Sequence, residues 1–252
     1  MVRSIVPRRI LGVIPARFSS TRFPGKALAM IAGKPMVQHV YERACQAQYL
    51  SEVIIATDDE RIFGAARDYG SKVRMTRSDH LSGSDRAAEV ASNDPAVIVV
   101  NIQGDEPSID PAAIDAAVLG LIKEVDAPMS TLAKRIEDPR EIGDPNTVKV
   151  VTDLRGYALY FSRCPIPFLR GDKPPYFKHI GLYAYRREFL LGYSQMPVGP
   201  LERAEKLEQL RALENGHSIR VVETEYESLG VDTPEDLKRL LQFWDAKRAE
   251  QS

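Results

Sequence analysis

The stretch "PARFSSTRFPGK" (15–26) gathers successive backbone N–H groups, the hydroxyls of Ser19, Ser20 and Thr21, and the cations Arg17, Arg22 and Lys26. Such a turn can form a nest for phosphate oxygens, the cations neutralising their charge. A solvated loop carries the same residue types. It is not a Walker A loop, because Lys26 is followed by Ala27, and it is not a GxGxxG dinucleotide turn. A second stretch, "TRSDHLSGSDRAAE" (76–89), adds Arg77, Ser82, Gly83, Ser84 and Arg86. There Ser84 is suited to cap a helix with Asp85 in its first turn, a role compatible with ligand contact. A third, "VVNIQGDEPSI" (99–109), sets Asp105 and Glu106 just past an apolar strand. A carboxylate in that place can hold Mg²⁺ together with phosphate oxygens, and Gly-Asp-Glu-Pro is equally good turn chemistry. "GVDTPEDL" (230–237) supplies Asp232, which reads more readily as a residue just outside a helix start than as a metal ligand, and spacing alone does not pair it with Asp105. His39, His80, His179 and His217 form no metal-ligand spacing, and no GxSxG or Cys/His arrangement offers a covalent nucleophile. The residues suit positioning and charge neutralisation.

These stretches need elements to bring them together. Ile10–Ile14 is a short apolar strand ending at a proline, and "PMVQHVYERACQAQYL" (35–50) places Val37, Val40, Tyr41 and Ala44 at helical spacing, with Pro35 in the first turn. Val53–Ala56 is the next strand, "TDDERIFGAARDYG" (57–70) a helix with early acidic residues and a terminal glycine, and Val73–Met75 a third strand. A helix beginning near Ser84 and an apolar strand over Val97–Ile102 follow. This alternation predicts an α/β fold with a mostly parallel sheet covered by helices on both faces. In such a sheet ligands bind beyond the carboxyl ends of the strands, so the polar stretches 15–26, 57–59, 76–86 and 103–107 converge on one rim.

After about residue 128 the rhythm changes. "MSTLAKRI", "NTVKVVTD", "YALYFSR" and "HIGLYAYR" are strand-like runs without evident helices between them, which predicts an antiparallel lobe at about 128–190 attached to the parallel sheet. Helical order returns in "PLERAEKLEQLRALENG" (200–216), a last short strand spans Val221–Glu225, and "TPEDLKRLLQFWDAKRAE" closes the chain with Thr233 as cap and Pro234 in the first turn.

Composition narrows the classes. A chain of 252 residues with 44% hydrophobic content has material for one large α/β domain or two small ones. Its net charge is −1, so no global basic field invites nucleic acid or an acidic membrane surface, and any anion binding comes from local clusters. The two cysteines, Cys45 and Cys164, are too few for a disulfide framework. No apolar run of export-signal or membrane-spanning length is present, so the expected setting is the cytoplasm.

Read together, "IPARFSSTRFPGKAL", "GKPMVQHVYERA", "VIIATDD", "TRSDHLSGSDR", "VNIQGDEP", "DPNTVKVVTD", "GYALYFSRCPIPF", "KHIGLYAYR", "LEQLRALENG" and "GVDTPEDL" resemble the sugar nucleotidyltransferases, and within them the 3-deoxy-manno-octulosonate cytidylyltransferase family, over nearly the whole chain. The first motif alone indicates only the wider superfamily. "SGSDR" with "QGDEP" and the "ALYFSR" and "HIGLYAYR" blocks are much more specific. Phe18 and Phe23 stand where other members carry different apolar residues.

The resemblance implies one Rossmann-like nucleotidyltransferase domain over 1–252, with the antiparallel lobe forming a homodimer. It implies transfer of CMP from CTP to the anomeric 2-hydroxyl of 3-deoxy-D-manno-octulosonate (Kdo) for lipopolysaccharide biosynthesis, with Mg²⁺ required and pyrophosphate released. A sialic acid or an 8-amino Kdo analogue as acceptor is the alternative. Carried onto this chain, Ala16, Arg17, Ser20, Thr21, Arg22 and Lys26 hold the triphosphate and part of the base, and Arg77, Ser82 and Gly83 help recognise cytidine. Gln103 touches both ligands' neighbourhood. Asp105 and Asp232 are the metal ligands, Arg22, Lys26 and Asp105 carry the catalysis, and Arg163, His179, Tyr183, Glu208 and Gln209 form the Kdo pocket.

Overall fold

The structure, a computed structural model, describes residues 9–20, 22–172 and 174–250. In chain order the elements are β1 (Ile10–Ala16), β2 (Met30–Ile31), β3 (Lys34–Pro35), α1 (Met36–Ala44), β4 (Glu52–Thr57), α2 (Glu60–Asp68), β5 (Val73–Met75), α3 (Gly83–Ser92) and β6 (Ile98–Asn101). They continue with α4 (Pro111–Lys123), β7 (Met129–Arg135), α5 (Arg140–Gly143), β8 (Lys149–Thr152), β9 (Ala158–Ser162), β10 (Phe177–Arg186), α6 (Arg187–Tyr193), α7 (Pro200–Glu205), α8 (Leu210–Glu214), β11 (Ile219–Glu223) and α9 (Pro234–Glu250).

The nine-stranded sheet runs β11-β7-β10-β6-β1-β4-β5, with β8 and β9 branching from β10. β1 lies parallel between β4 and β6, and β4 continues parallel to β5. Strands buried on both faces read as continuous apolar runs. Along β1, Ile10 and Ile14 therefore pack on one face with α1 and α4, while Leu11 and Val13 pack on the other with α3 and α6. A small satellite core of Ile31, Met36, Val231 and Leu240, backed by Phe23 and Trp244, seats α9 against the loop after β1.

The antiparallel strands are not set apart from the main sheet. β10 pairs antiparallel with both β6 and β7, and β11 lies parallel to β7. Only the β8–β9 hairpin stands off the main strand path. β10 is long enough, at ten residues, to serve both the sheet centre and the hairpin.

Several local expectations shift. Pro35 is the residue before α1, not a member of its first turn. The cap of α3 is Ser82, not Ser84: the Ser82 hydroxyl accepts from the Asp85 N–H, and the Asp85 carboxylate accepts from the Ser82 N–H in a capping box. The run 200–216 is two short helices, broken where Lys206 adopts a left-handed conformation at φ 55°. β11 starts two residues earlier than Val221. α4 and α6 carry no sequence expectation above, although Asp110 capping a helix that opens on Pro111 is a readable start for the former.

Candidate active site

The rim beyond β1, β4, β5 and β6 carries the polar loops, as the topology requires. After β1 the loop closes on itself, the Phe18 carbonyl accepting from the N–H groups of Ser20 (3.1 Å) and Gly25 (2.8 Å). The Arg61 guanidinium lies over the Phe18 ring at 3.2 Å. This fold of the loop presents Ala16, Arg17, Ser19, Ser20, Arg22 and Lys26 to a cleft of about 350 Å³. The opposite wall is Gly83 at the start of α3 and Gln103–Asp105 after β6. Close packing joins the walls: a Cβ at Gly104 would sit 2.6 Å from the Pro15 carbonyl oxygen, and one at Gly83 would sit 3.3 Å from Pro15 Cγ. Glycine is what lets these backbones meet.

Charge in this cleft is organised around Lys26. Its ammonium donates to Asp105 Oδ2 at 2.6 Å and to Asp232 Oδ1 at 2.9 Å, and Arg22 reaches Asp232 Oδ2 at 2.9 Å. Burial works against the Lys26 charge, but the two carboxylates outweigh it and hold its pKa above the ordinary value. Asp232 reaches this place because the Val231 N–H donates to the Asp105 carbonyl at 2.8 Å. Glu106, beside Asp105 in sequence, turns inward. Its carboxylate accepts from Tyr226 Oη (2.8 Å) and Ser228 Oγ (2.6 Å), anchoring the segment that leads to Asp232. Burial raises the Glu106 pKa, with the two hydroxyls opposing that shift.

A second cleft of about 230 Å³ adjoins the first, sharing Gly83 and Gln103. Ser84, Asn101, Gly181, Tyr183 and Tyr185 line it, together with the link between α7 and α8 that carries Lys206, Glu208 and Gln209. Gln103 Nε2 donates to the Gly181 carbonyl (3.0 Å), which fixes it at the seam. Tyr183 Oη donates to Gln209 Oε1 (3.2 Å), and Tyr193 Oη to the Glu208 carbonyl (2.6 Å). Burial pushes up the pKa of Glu208 and that of Tyr183.

Comparison with known proteins gives the family of the chain. The cytidylyltransferase family profile matches residues 11–219. The chain is 72% identical over 243 residues to 3-deoxy-manno-octulosonate cytidylyltransferase of Solibacter usitatus (strain Ellin6076), covering 96% of each. It is 57% identical over 245 residues to the enzyme of the same name from Geobacter sulfurreducens, covering 92% of this chain and 98% of that one. The chain belongs to the 3-deoxy-manno-octulosonate cytidylyltransferase family. A solved structure of CMP:2-keto-3-deoxy-manno-octonic acid synthetase in complex with CTP superposes with a TM-score of 0.91 at 46% identity, covering 95% of this chain and 99% of that one. A cytidylyltransferase from Leptospira borgpetersenii, at 18% identity and a TM-score of 0.63, shares the fold.

Of the residues that the family resemblance singled out, Ala16, Arg17, Ser20, Arg22, Lys26, Gly83, Gln103 and Asp105 line the first cleft. Asp232 joins them through its ion pairs. Thr21 lies outside the described residues. Ser82 is occupied as the α3 cap. Tyr183, Glu208 and Gln209 line the second cleft with Gln103. Arg77, Arg163 and His179, like Ser82 and Asp232, lie outside both linings. Arg77 is exposed and paired with Asp79, its Nε 2.9 Å from Asp79 Oδ1. Arg163 spends its guanidinium on the carbonyls of Glu205 (2.7 Å) and Pro145 (2.9 Å). His179 packs between the rings of Phe161 and Tyr183, with Nε2 2.9 Å from Thr131 Oγ1.

The family motifs also contain residues that reading them by type passed over. Asn101 and Tyr185 line the second cleft with Ser84, and the period-two spacing of Gly181, Tyr183 and Tyr185 along β10 is the available signal for the last. Arg86 is fully buried, Nη2 lying 3.2 Å from Asp58 Oδ2 and Nη1 donating to Thr76 Oγ1. It ties α3 to the ends of β4 and β5.

Proposed function

We propose that this chain transfers CMP from CTP to the anomeric 2-hydroxyl of Kdo, giving CMP-Kdo and pyrophosphate for lipopolysaccharide biosynthesis in the cytoplasm. The observation that carries the reading is the seam: a cation-rimmed cleft and a polar, aromatic cleft meet at Gly83 and Gln103. The first suits a triphosphate, the second a polyhydroxylated acid, and their junction is where α-phosphorus and acceptor hydroxyl would meet.

In this mechanism the loop after β1 cradles the triphosphate, and Arg17 is steadied by its bond to the His80 carbonyl (2.7 Å). Lys26 and Arg22 exchange their carboxylate partners for phosphate oxygens and stabilise the negative charge that builds on the departing pyrophosphate. Tyr183, Glu208 and Gln209 hold the sugar so that its 2-hydroxyl approaches opposite the leaving group. The new bond forms from the 2-oxygen to the α-phosphorus as the bond to the bridging oxygen breaks, and Asp105 takes the hydroxyl's proton. No covalent enzyme intermediate is needed.

Asp105 and Asp232 converge on one cation, the Lys26 ammonium, which is the donor geometry that two carboxylates completing their shell with phosphate and water offer Mg²⁺. Among the described residues no group of three or more His, Cys, Asp or Glu could hold a metal, so nucleotide oxygens would supply the rest. Bound there, Mg²⁺ would polarise the phosphoryl group and lower the acceptor hydroxyl's pKa.

Pyrophosphate release from CTP, Mg²⁺ and Kdo tests the reading. Release is expected with Kdo and not with a sialic acid. Release only with a sialic acid or an 8-amino Kdo overturns the choice of acceptor, and no release with any sugar overturns the reaction. The reading also carries a homodimer joined through the antiparallel lobe at about 128–190, where Leu159 of β9 and Phe168 of the loop after it are exposed; a monomeric mass in solution would remove that part.

A further inference from the structure

Six buried side-chain polar atoms among the described residues have no hydrogen-bond partner, and three of them belong to residues lining the second cleft: Asn101 Oδ1, Glu208 Oε1 and Gln209 Nε2. Such atoms are costly and rare unless a ligand supplies the partner. Glu208 and Gln209 stand in the sugar pocket already described. Asn101 lines the same cleft but has no role assigned to it above, and its setting is the most specific of the three.

Asn101 is the last residue of β6, 2% exposed, and directly opposite Tyr183 of β10. Its Nδ2 donates to Ser84 Oγ (3.3 Å), and Ser84 Oγ lies 3.4 Å from Tyr185 Oη. These contacts hold the carboxamide plane and leave Oδ1 as the acceptor. The Asn101 Nδ2 is only 3.6 Å from where a Cβ at Gly83 would be, so the group sits beside the residue both clefts share. Were Asn101 purely a strand residue, an apolar side chain would serve in its place, as it does at Val99 and Val100.

The geometry points to Asn101 as a specificity-determining residue whose side-chain carbonyl accepts a hydrogen bond from one hydroxyl of the acceptor sugar. The inference rests on the assignment of the second cleft to Kdo. Because the acceptor is shielded from water, a sugar lacking that hydroxyl leaves it unpaired, and discrimination at such a site is strong.

The test measures pyrophosphate release by the full chain with CTP, Mg²⁺ and either Kdo or each of its monodeoxy analogues, for the unsubstituted protein and for Asn101→Ala. With Kdo, Asn101→Ala is expected to lose on the order of 10-fold or more in kcat/KM, with the KM for CTP unchanged. One monodeoxy analogue is expected to cost the unsubstituted protein a similar factor and the variant almost nothing further. Asn101→Asp, which keeps an acceptor in the same place, should retain the sensitivity to that analogue and serves if the alanine variant does not fold. Equal sensitivity of both proteins to every analogue would overturn the inference, as would an Asn101→Ala that matches the unsubstituted protein with Kdo. Failure of the unsubstituted protein to use Kdo at all would instead overturn the assignment of the cleft, and the inference with it.

Discussion

Lys26 does two jobs that a neutral side chain cannot. It keeps Asp105 and Asp232 from repelling each other, and it stands where phosphate charge will arrive. Lys26→Met should therefore fold but lose on the order of 10²-fold or more in turnover, the scale on which transition-state donors act. Asp105→Asn should do the same, since it removes the carboxylate while keeping the shape. Steady-state kinetics beside a thermal melt check both, and near-normal turnover in Asp105→Asn would remove Asp105 from the chemistry. His179 carries a different expectation. The Thr131 hydroxyl donates to the Leu182 carbonyl (2.9 Å) and so accepts from His179 Nε2, and burial pushes the imidazole pKa down to about 3. Below its ordinary value near 6.5 the unfolded chain takes up a proton that the folded one refuses, so stability falls as pH drops from that point toward 3. Between pH 7.5 and 5 the unsubstituted protein should lose about 2 kcal/mol more than His179→Gln, read from urea unfolding at the two pH values.

At the scale of elements, the main strands and helices through β6 were legible, though not the two-residue β2 and β3, because each pairs an apolar run with chemistry that ends it: Pro15 after Ile14, the acids "TDDE" at the start of α2, Gly70 behind it. The convergence of the loops followed from a rule about parallel sheets and needed no coordinates. What failed to show was long-range pairing. Nothing in "HIGLYAYR" says that β10 enters between β6 and β7, because its alternating pattern suits a lobe and a sheet centre equally. Nor does spacing bring Asp232 to Asp105 across more than a hundred residues; the Val231 N–H to the Asp105 carbonyl does that, with Glu106 anchoring the approach. Arg77 and Arg163 illustrate the same gap, since an arginine's reach lets nearby Asp79 or backbone carbonyls claim it. The anchor is testable as an element. Tyr226→Phe removes one donor from the buried Glu106 carboxylate and should cost about 1–3 kcal/mol in unfolding, with a raised KM for CTP as the Asp232 segment loosens.

For the molecule as a whole, α9 is the piece that closes the circuit between the chain's two ends. Leu240 is 3% exposed in the satellite core with Ile31, Met36 and Val231, against which Phe23 of the first loop packs. Trp244 Nε1 donates to Ser108 Oγ at 2.9 Å, fastening the helix to the segment after Asp105 as well. Leu240→Ala should cost about 2–4 kcal/mol, as buried leucine truncations do. Its kinetic mark should fall on the KM for CTP and spare that for Kdo, because no residue of the second cleft belongs to α9. The contact at Gly104 has a mechanical reading. With 2.6 Å between the Pro15 oxygen and the place a Cβ would take, the loops bearing Arg17 and Asp105 are keyed together like two leaves of one bracket. Any side chain at Gly104 would wedge that bracket apart and carry Asp105 away from Arg17, so the position is reserved for glycine.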